Sequence, residues 1–116
     1  MSSGPFPARG EIWLADLNPV RGHEQAGRRP VLVVSVDPFN SSRADLVVVI
    51  PITSTLRNIP FHVIVQSPEG GLTNTSAILC EAVRSISKDR LITRRGCVLP
   101  KTIAEVEDRL RVLMGL

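Results

Sequence analysis

The feature that most constrains this chain is a series of short β-branched apolar runs, each closed by turn-forming residues, with a change of period only at the C-terminus. The longest, residues 46–52 and 31–34, are far shorter than the roughly 20 residues a bilayer span requires. Residues 11–17 alternate Ile12 and Leu14 with Trp13 and Ala15 between Gly10 and Asn18-Pro19, a strand ending in a turn. Pro30 opens the run 31–36, the turn-rich segment 37–43 follows, and 46–53 repeats the pattern, so two buried strands are expected. Residues 61–66 place Phe61, Val63 and Val65 on one face and His62, Ile64 and Gln66 on the other, before Pro68-Glu69-Gly70-Gly71 ends the strand. Among strand neighbours, 76–86 reads as one long or bulged strand, with short edge pieces at 91–92 and 97–98. The period then becomes helical. Ile103, Val106, Leu110 and Leu113 recur at spacings of three and four, Thr102 and Glu105 form a capping-box pattern, and Gly115 lies just past the end, predicting an amphipathic helix of about 12 residues. The expected fold is mainly β, a small barrel or strongly bent sheet with the C-terminal helix packed across it.

Composition narrows the function. A chain of 116 residues fits one domain, expected over 9–116 behind a flexible extension at 1–8. That extension has neither the cationic start nor the apolar core of a secretory signal, which points to a cytoplasmic protein. Cys80 and Cys97 read as reduced, buried thiols, and Cys80 has no electropositive neighbour in sequence to activate it. With only His23 and His62 beside them, no zinc-site spacing and no H-E-x-x-H motif exists, so no metal or other cofactor is called for. The net charge is only +3, but Arg84, Lys88, Arg90, Arg94 and Arg95 crowd one stretch and Arg21, Arg28 and Arg29 another. Either is solvated surface or a phosphate contact. Four aromatic side chains, Phe6, Trp13, Phe39 and Phe61, with no Tyr, cannot build the base-stacking platforms of common RNA-binding modules.

The polar segment 18–29 is too long for a simple turn, and loops of about 12 residues are often functional. Its Gly22 to Gly27 spacing imitates a phosphate loop, but a strand follows where a helix N-terminus is required. The segment does supply a potential base (Glu24 or His23), an amide (Gln25) and two guanidinium groups (Arg28, Arg29) at a strand entrance. Cleaving RNA without a metal requires a base for the 2′-hydroxyl, a cation for charge on the pentavalent phosphorus and a proton donor for the leaving 5′-oxygen. The planar fork of Arg suits two phosphate oxygens. Thr53-Ser54-Thr55 ends an apolar strand, where hydroxyls either satisfy turn backbone or hold a phosphate oxygen. His62, opposite Phe61 and Val63, is expected on an exposed face.

Arg9-Gly10-Glu11-Ile12-Trp13-Leu14-Ala15-Asp16-Leu17-Asn18-Pro19 and Gly22-His23-Glu24-Gln25-Ala26-Gly27-Arg28-Arg29-Pro30-Val31-Leu32-Val33-Val34-Ser35 closely resemble the MazF/PemK toxin family. Pro51-Ile52-Thr53, Ile78-Leu79-Cys80-Glu81, Arg84-Ser85-Ile86, Arg90-Leu91 and the closing Leu113-Met114-Gly115-Leu116 fall in the family's order. The resemblance implies an SH3-like barrel that forms a homodimer. It further implies a sequence-specific, metal-independent endoribonuclease of a toxin-antitoxin system, cutting single-stranded mRNA to leave a 2′,3′-cyclic phosphate and a 5′-hydroxyl. It places the family's catalytic pair on Arg29 and Thr53 and a base on Glu24. His23, Gln25, Arg28, Ser54, His62 and Arg84 are then candidate RNA contacts. The family's antitoxins lay an extended acidic C-terminal segment over the toxin, which a basic groove with Arg29 and Arg84 would suit. Ala82 departs from the Gln of many relatives and His23 from the Ser of some, and both bear on which bases are read. Two competing readings are a non-enzymatic gyrase-binding toxin of the same barrel architecture (CcdB-like) and a small non-catalytic RNA-binding barrel. The gyrase binders close on Trp-Gly-Ile and lack the Glu-Gln…Arg-Pro string.

Overall fold

The computed structural model describes residues 6–18 and 27–116. Seven strands form one antiparallel sheet: β1 (Glu11–Asp16), β2 (Arg28–Val33), β3 (Leu46–Thr53), β4 (His62–Val65), β5 (Ser76–Leu79), β6 (Arg84–Ser87) and β7 (Leu91–Cys97). A four-residue helix, α1 (Asp37–Asn40), joins β2 to β3, and α2 (Pro100–Met114) closes the chain. The strand order is β4-β5-β3-β2-β1-β7, with β6 on β3 as a branch. The mainly β architecture with its C-terminal helix is the expected one, although no ladder joins β4 to β7 among the described residues. The sheet is barrel-like and open.

Both faces of the central strands are covered, which is why they read as continuous apolar runs. Leu32, Ile50 and Ile52 enter one core with Ile12, Val63, Val65 and Ile78, against which Val106, Ile103 and Leu110 of α2 pack. The alternate residues Val31, Val33, Val47 and Val49 enter a second core with Ala15, Leu17 and Ile86. Pro30 stands inside β2 without breaking a ladder, because it lies one residue beyond the last β2–β3 pair, Val31 with Pro51.

The segment 76–86 is not one strand. β5 pairs with β3 at Ile52 and Thr53, β6 pairs with β3 from Leu46 to Val49, and a 3-10 turn over Cys80–Ala82 separates them. One strand cannot follow both parts of a bent β3 edge, so the chain turns between them. The expected edge pieces at 91–92 and 97–98 are one strand, β7, whose Arg94 and Arg95 hid its pattern. The 3-10 turn Glu69–Gly71 packs on β7 so closely that a Cβ at Gly71, whose φ is +77°, would come within 2.5 Å of the Arg95 carbonyl oxygen. Helix α2 starts without the expected Thr102–Glu105 box. Leu99 is its N-cap, with no side-chain cap bond, and Pro100 occupies the first turn. Instead Glu69 Oε2 accepts the Leu99 N–H at 2.9 Å and the Thr102 hydroxyl at 2.6 Å. A tertiary carboxylate thus replaces the local one. Gly115 ends the helix in the left-handed conformation, as its position predicts.

Candidate active site

Extending the β2–β3 register by two residues beyond Val31–Pro51 sets Arg29 opposite Thr53. Thr53 pairs with Ala77 of β5, Ala77 with Ile64 of β4, and Leu79 with His62. Paired residues share a face, so Arg29, Thr53, Leu79 and His62 all project from one side of four adjacent strands. Further along β2 and β3 the same side is sealed by the second core, formed there by Val31, Val33, Val47 and Val49. At this end it opens into a cavity of about 350 Å³ that is lined by Arg29, Thr53, His62 and Glu81, with Thr55, Arg57, Ile59 and Leu79 completing its wall.

Among the described residues, two guanidinium groups and two hydroxyls thus face one carboxylate in a space large enough for a phosphodiester and part of a nucleotide. The Thr53 hydroxyl oxygen accepts the Thr55 N–H at 3.1 Å, so it serves the turn and keeps its own proton to donate. Glu81 lies in the 3-10 turn that follows β5, and its Oε2 meets His62 Nε2 at 2.8 Å. Next to it, burial and then the Glu81 charge push the Cys80 thiol up from 9.0 to about 11, which makes Cys80 a protonated core residue rather than a nucleophile.

The structure therefore unites Arg29 and Thr53, as expected, and corrects the placement of His62. Its side chain is 4% exposed, because pairing with Leu79 on β5 and the Glu81 carboxylate cover the ring, and it lines the cavity instead of facing solvent. Arg28 and Ser54 are exposed and stand outside the cavity wall: Arg28 alternates with Arg29 to the opposite side of β2. Arg84 pairs with Val49, on the same side of the sheet but four residues along β3 from Thr53, roughly 13 Å away. Glu24, His23 and Gln25 lie outside the described residues.

Of the basic stretch 84–95, three members serve the fold. Lys88 donates to the Asn40 carbonyl at 2.7 Å and lies over the Phe6 ring, Arg90 donates to the carbonyls of Asp16 and Asn18, and Arg94 pairs with Glu11. The wall residues Arg57 and Glu81 carried no role in the sequence. Arg57 sits in the segment between β3 and β4, where no sequence pattern marks it. Glu81 is 19 residues from His62, and no local pattern links them. Among the described residues no group of three or more His, Cys, Asp or Glu side chains is placed to hold a metal ion, and no helix is long and apolar enough to cross a membrane.

A small antiparallel sheet capped by one helix carries, at one open end, a cavity on which arginines and threonines converge. The sequence profile of the PemK-like, MazF-like toxins of type II toxin-antitoxin systems matches residues 8–114, and the chain belongs to that family. It is 34% identical over 113 residues to the protein named Endoribonuclease MazF9 of Mycobacterium tuberculosis, covering 93% of this chain and 96% of that one. Its fold superposes on the crystal structure of MazF from Deinococcus radiodurans with a TM-score of 0.85 at 29% identity, covering 96% of this chain and 98% of that one. An endoribonuclease in complex with its cognate antitoxin from Mycobacterial species gives 0.78 at 27% identity, covering 95% and 96%.

Proposed function

We propose that this chain is a sequence-specific endoribonuclease toxin that cuts single-stranded mRNA in the cytoplasm, with residues 9–116 acting as one domain in a homodimer. The observation that carries the proposal is the meeting of Arg29 and Thr53 in one open cavity, in a member of a family whose relatives bear the name endoribonuclease. In the reaction the 2′-hydroxyl attacks the adjacent phosphorus, leaving a 2′,3′-cyclic phosphate and a 5′-hydroxyl. Arg29 binds the non-bridging oxygens and stabilises their charge as it grows. Thr53 donates its hydroxyl to the phosphate, and Glu24 is the loop carboxylate available as a base. Gln25, His23, Arg28, Ser54 and Arg84 extend the RNA path around the cavity. No step in this scheme calls on a metal.

The partner class is an antitoxin with an extended acidic segment, which would lie along the Arg29 and Arg84 side of the sheet and displace segment 18–28. The same surface would then serve RNA and inhibitor, so the toxin-antitoxin complex should bind RNA far more weakly than the free toxin.

The test is incubation of the purified protein with a long single-stranded RNA in EDTA, wild type beside Arg29→Ala, with fragment ends mapped and typed. Discrete cuts ending in cyclic phosphate, slowed roughly 10²- to 10³-fold in Arg29→Ala and poorly restored by Arg29→Lys, are expected. Absence of cutting by the folded wild type on several RNAs would turn attention to the non-enzymatic gyrase-binding alternative.

A further inference from the structure

Glu81 and His62 meet at 2.8 Å on the wall of the cavity that holds Arg29 and Thr53, and this pair goes beyond the site assigned above. The His62 side chain is only 4% exposed, whereas that of Glu81 is 40% exposed. His62 Nδ1 is buried and meets no hydrogen-bond partner among the described residues. The bond that anchors the ring is therefore the one to Glu81, and this network assigns the ring proton to Nε2, which donates to Oε2. The other carboxylate oxygen, Oε1, accepts no bond among the described residues. His62 is held by the β4–β5 ladder and Glu81 by the turn that ends β5, so the carboxylate is presented from rigid elements.

We propose that Glu81, in place of the loop residue Glu24, is the catalytic base of this cavity and that His62 is its positioning residue; the inference rests on the ribonuclease reading. Glu81 takes the proton of the 2′-hydroxyl, and the oxygen's electron pair forms the O2′–P bond. The P–O5′ bond breaks with its electron pair going to O5′, which takes a proton from water at the cavity mouth. Glu81 then returns its proton to water. Arg29 of β2 and Arg57 of segment 54–61 line the same cavity. Arg109 of α2 is close enough to favour the thiolate of the adjacent Cys80. Among the described residues, His62 is the donor that orients the carboxylate.

The experiment uses the RNA site that the wild type cuts, with three readouts: single-turnover rate, affinity for the same RNA carrying 2′-deoxy at the cut, and cleavage of RNA with a 5′-bridging sulfur at the cut. Glu81→Gln, half-exposed and nearly isosteric, should slow cleavage by about 10²- to 10⁴-fold with binding of the uncleavable RNA nearly unchanged. His62→Ala should lower the rate constant and spare binding, with partial recovery in His62→Gln, whose amide can still donate to Glu81. The bridging sulfur leaves without needing a proton, so it should not rescue Glu81→Gln. A wild-type rate in Glu81→Gln, a loss confined to binding, or full rescue by the sulfur leaving group would each overturn the assignment while leaving the ribonuclease reading intact. A wild-type protein that cuts no RNA would overturn both.

Discussion

Glu11→Ala tests the polar network that pins the start of β1, and its cost can be worked from the contacts. Glu11 is fully buried. Its Oε1 accepts the Ala8 N–H at 2.8 Å and the Trp13 indole N–H at 3.0 Å, and its Oε2 meets Arg94 Nε at 3.0 Å, while the Arg94 guanidinium stacks 5.1 Å from the Trp13 ring. Truncation strands two donors, each worth about 1 to 3 kcal/mol when left without an acceptor. The loss for Arg94 is smaller than the 3 to 5 kcal/mol typical of a broken buried pair, because its Nε is buried but the side chain as a whole is 32% exposed and stays partly solvated. The sum is at least about 3 kcal/mol, a large share of the 5 to 15 kcal/mol that holds a domain of this kind. For a chain of this length it lowers Tm by about 10 to 15 °C. The assay is guanidinium unfolding at one fixed protein concentration, since self-association would change apparent stability. Arg94→Met should be comparably damaging, because it leaves the Glu11 carboxylate buried beside an apolar side chain. The double variant should lose at least about 1 kcal/mol less than the sum of the singles. Glu11→Gln keeps an acceptor and should fall between wild type and Glu11→Ala. A Glu11→Ala loss under about 1 kcal/mol, or strict additivity with Arg94→Met, would refute the reasoning.

Three further outcomes are open to direct measurement. Gly71→Ala places a methyl group against the Arg95 carbonyl at a positive φ and should cost about 2 kcal/mol or more, read by the same unfolding assay. The raised Cys80 thiol binds its proton more tightly in the folded state, so its contribution to stability is complete below pH 9 and is lost as pH rises from about 9 to about 11. The loss is at most roughly 2 to 3 kcal/mol; Cys80→Ala should flatten that part of the stability profile, and thiol reagents near pH 8 should label Cys97 before Cys80. Thr53→Val keeps the shape of the side chain and removes the hydroxyl, which in the fold accepts the Thr55 N–H. It should cost no more than about 1 kcal/mol of stability while RNA cleavage falls by an order of magnitude or more, and equal losses in folding and cleavage would count against a role for the hydroxyl.

The sequence alone determined what depends on neighbours along the chain. The four strands from Ile12 to Val65 and the C-terminal helix follow from apolar period and turn residues, and the Gly115 cap follows from the need for a left-handed residue after a helix. Arg29 and Thr53 were legible because each sits at the end of an apolar strand beside polar residues, and because the strings around them match one toxin family. Tertiary structure alone decided what depends on residues far apart. The split of 76–86 into two strands comes from the bend of β3, which offers one edge to two partners. Glu69 caps α2 from 30 residues away, which no local pattern signals. His62 alternates correctly with Val63, yet it is buried because β5 and Glu81 cover the face that alternation alone leaves open. Lys88, Arg90 and Arg94 look like a phosphate-binding run in sequence, but carbonyls, the Phe6 and Trp13 rings and the Glu11 carboxylate claim them in the fold. Period reports which side of a strand a residue takes; what lies over that side is set by chain that has yet to come or has long since passed, and the Glu81–His62 pair exists only there.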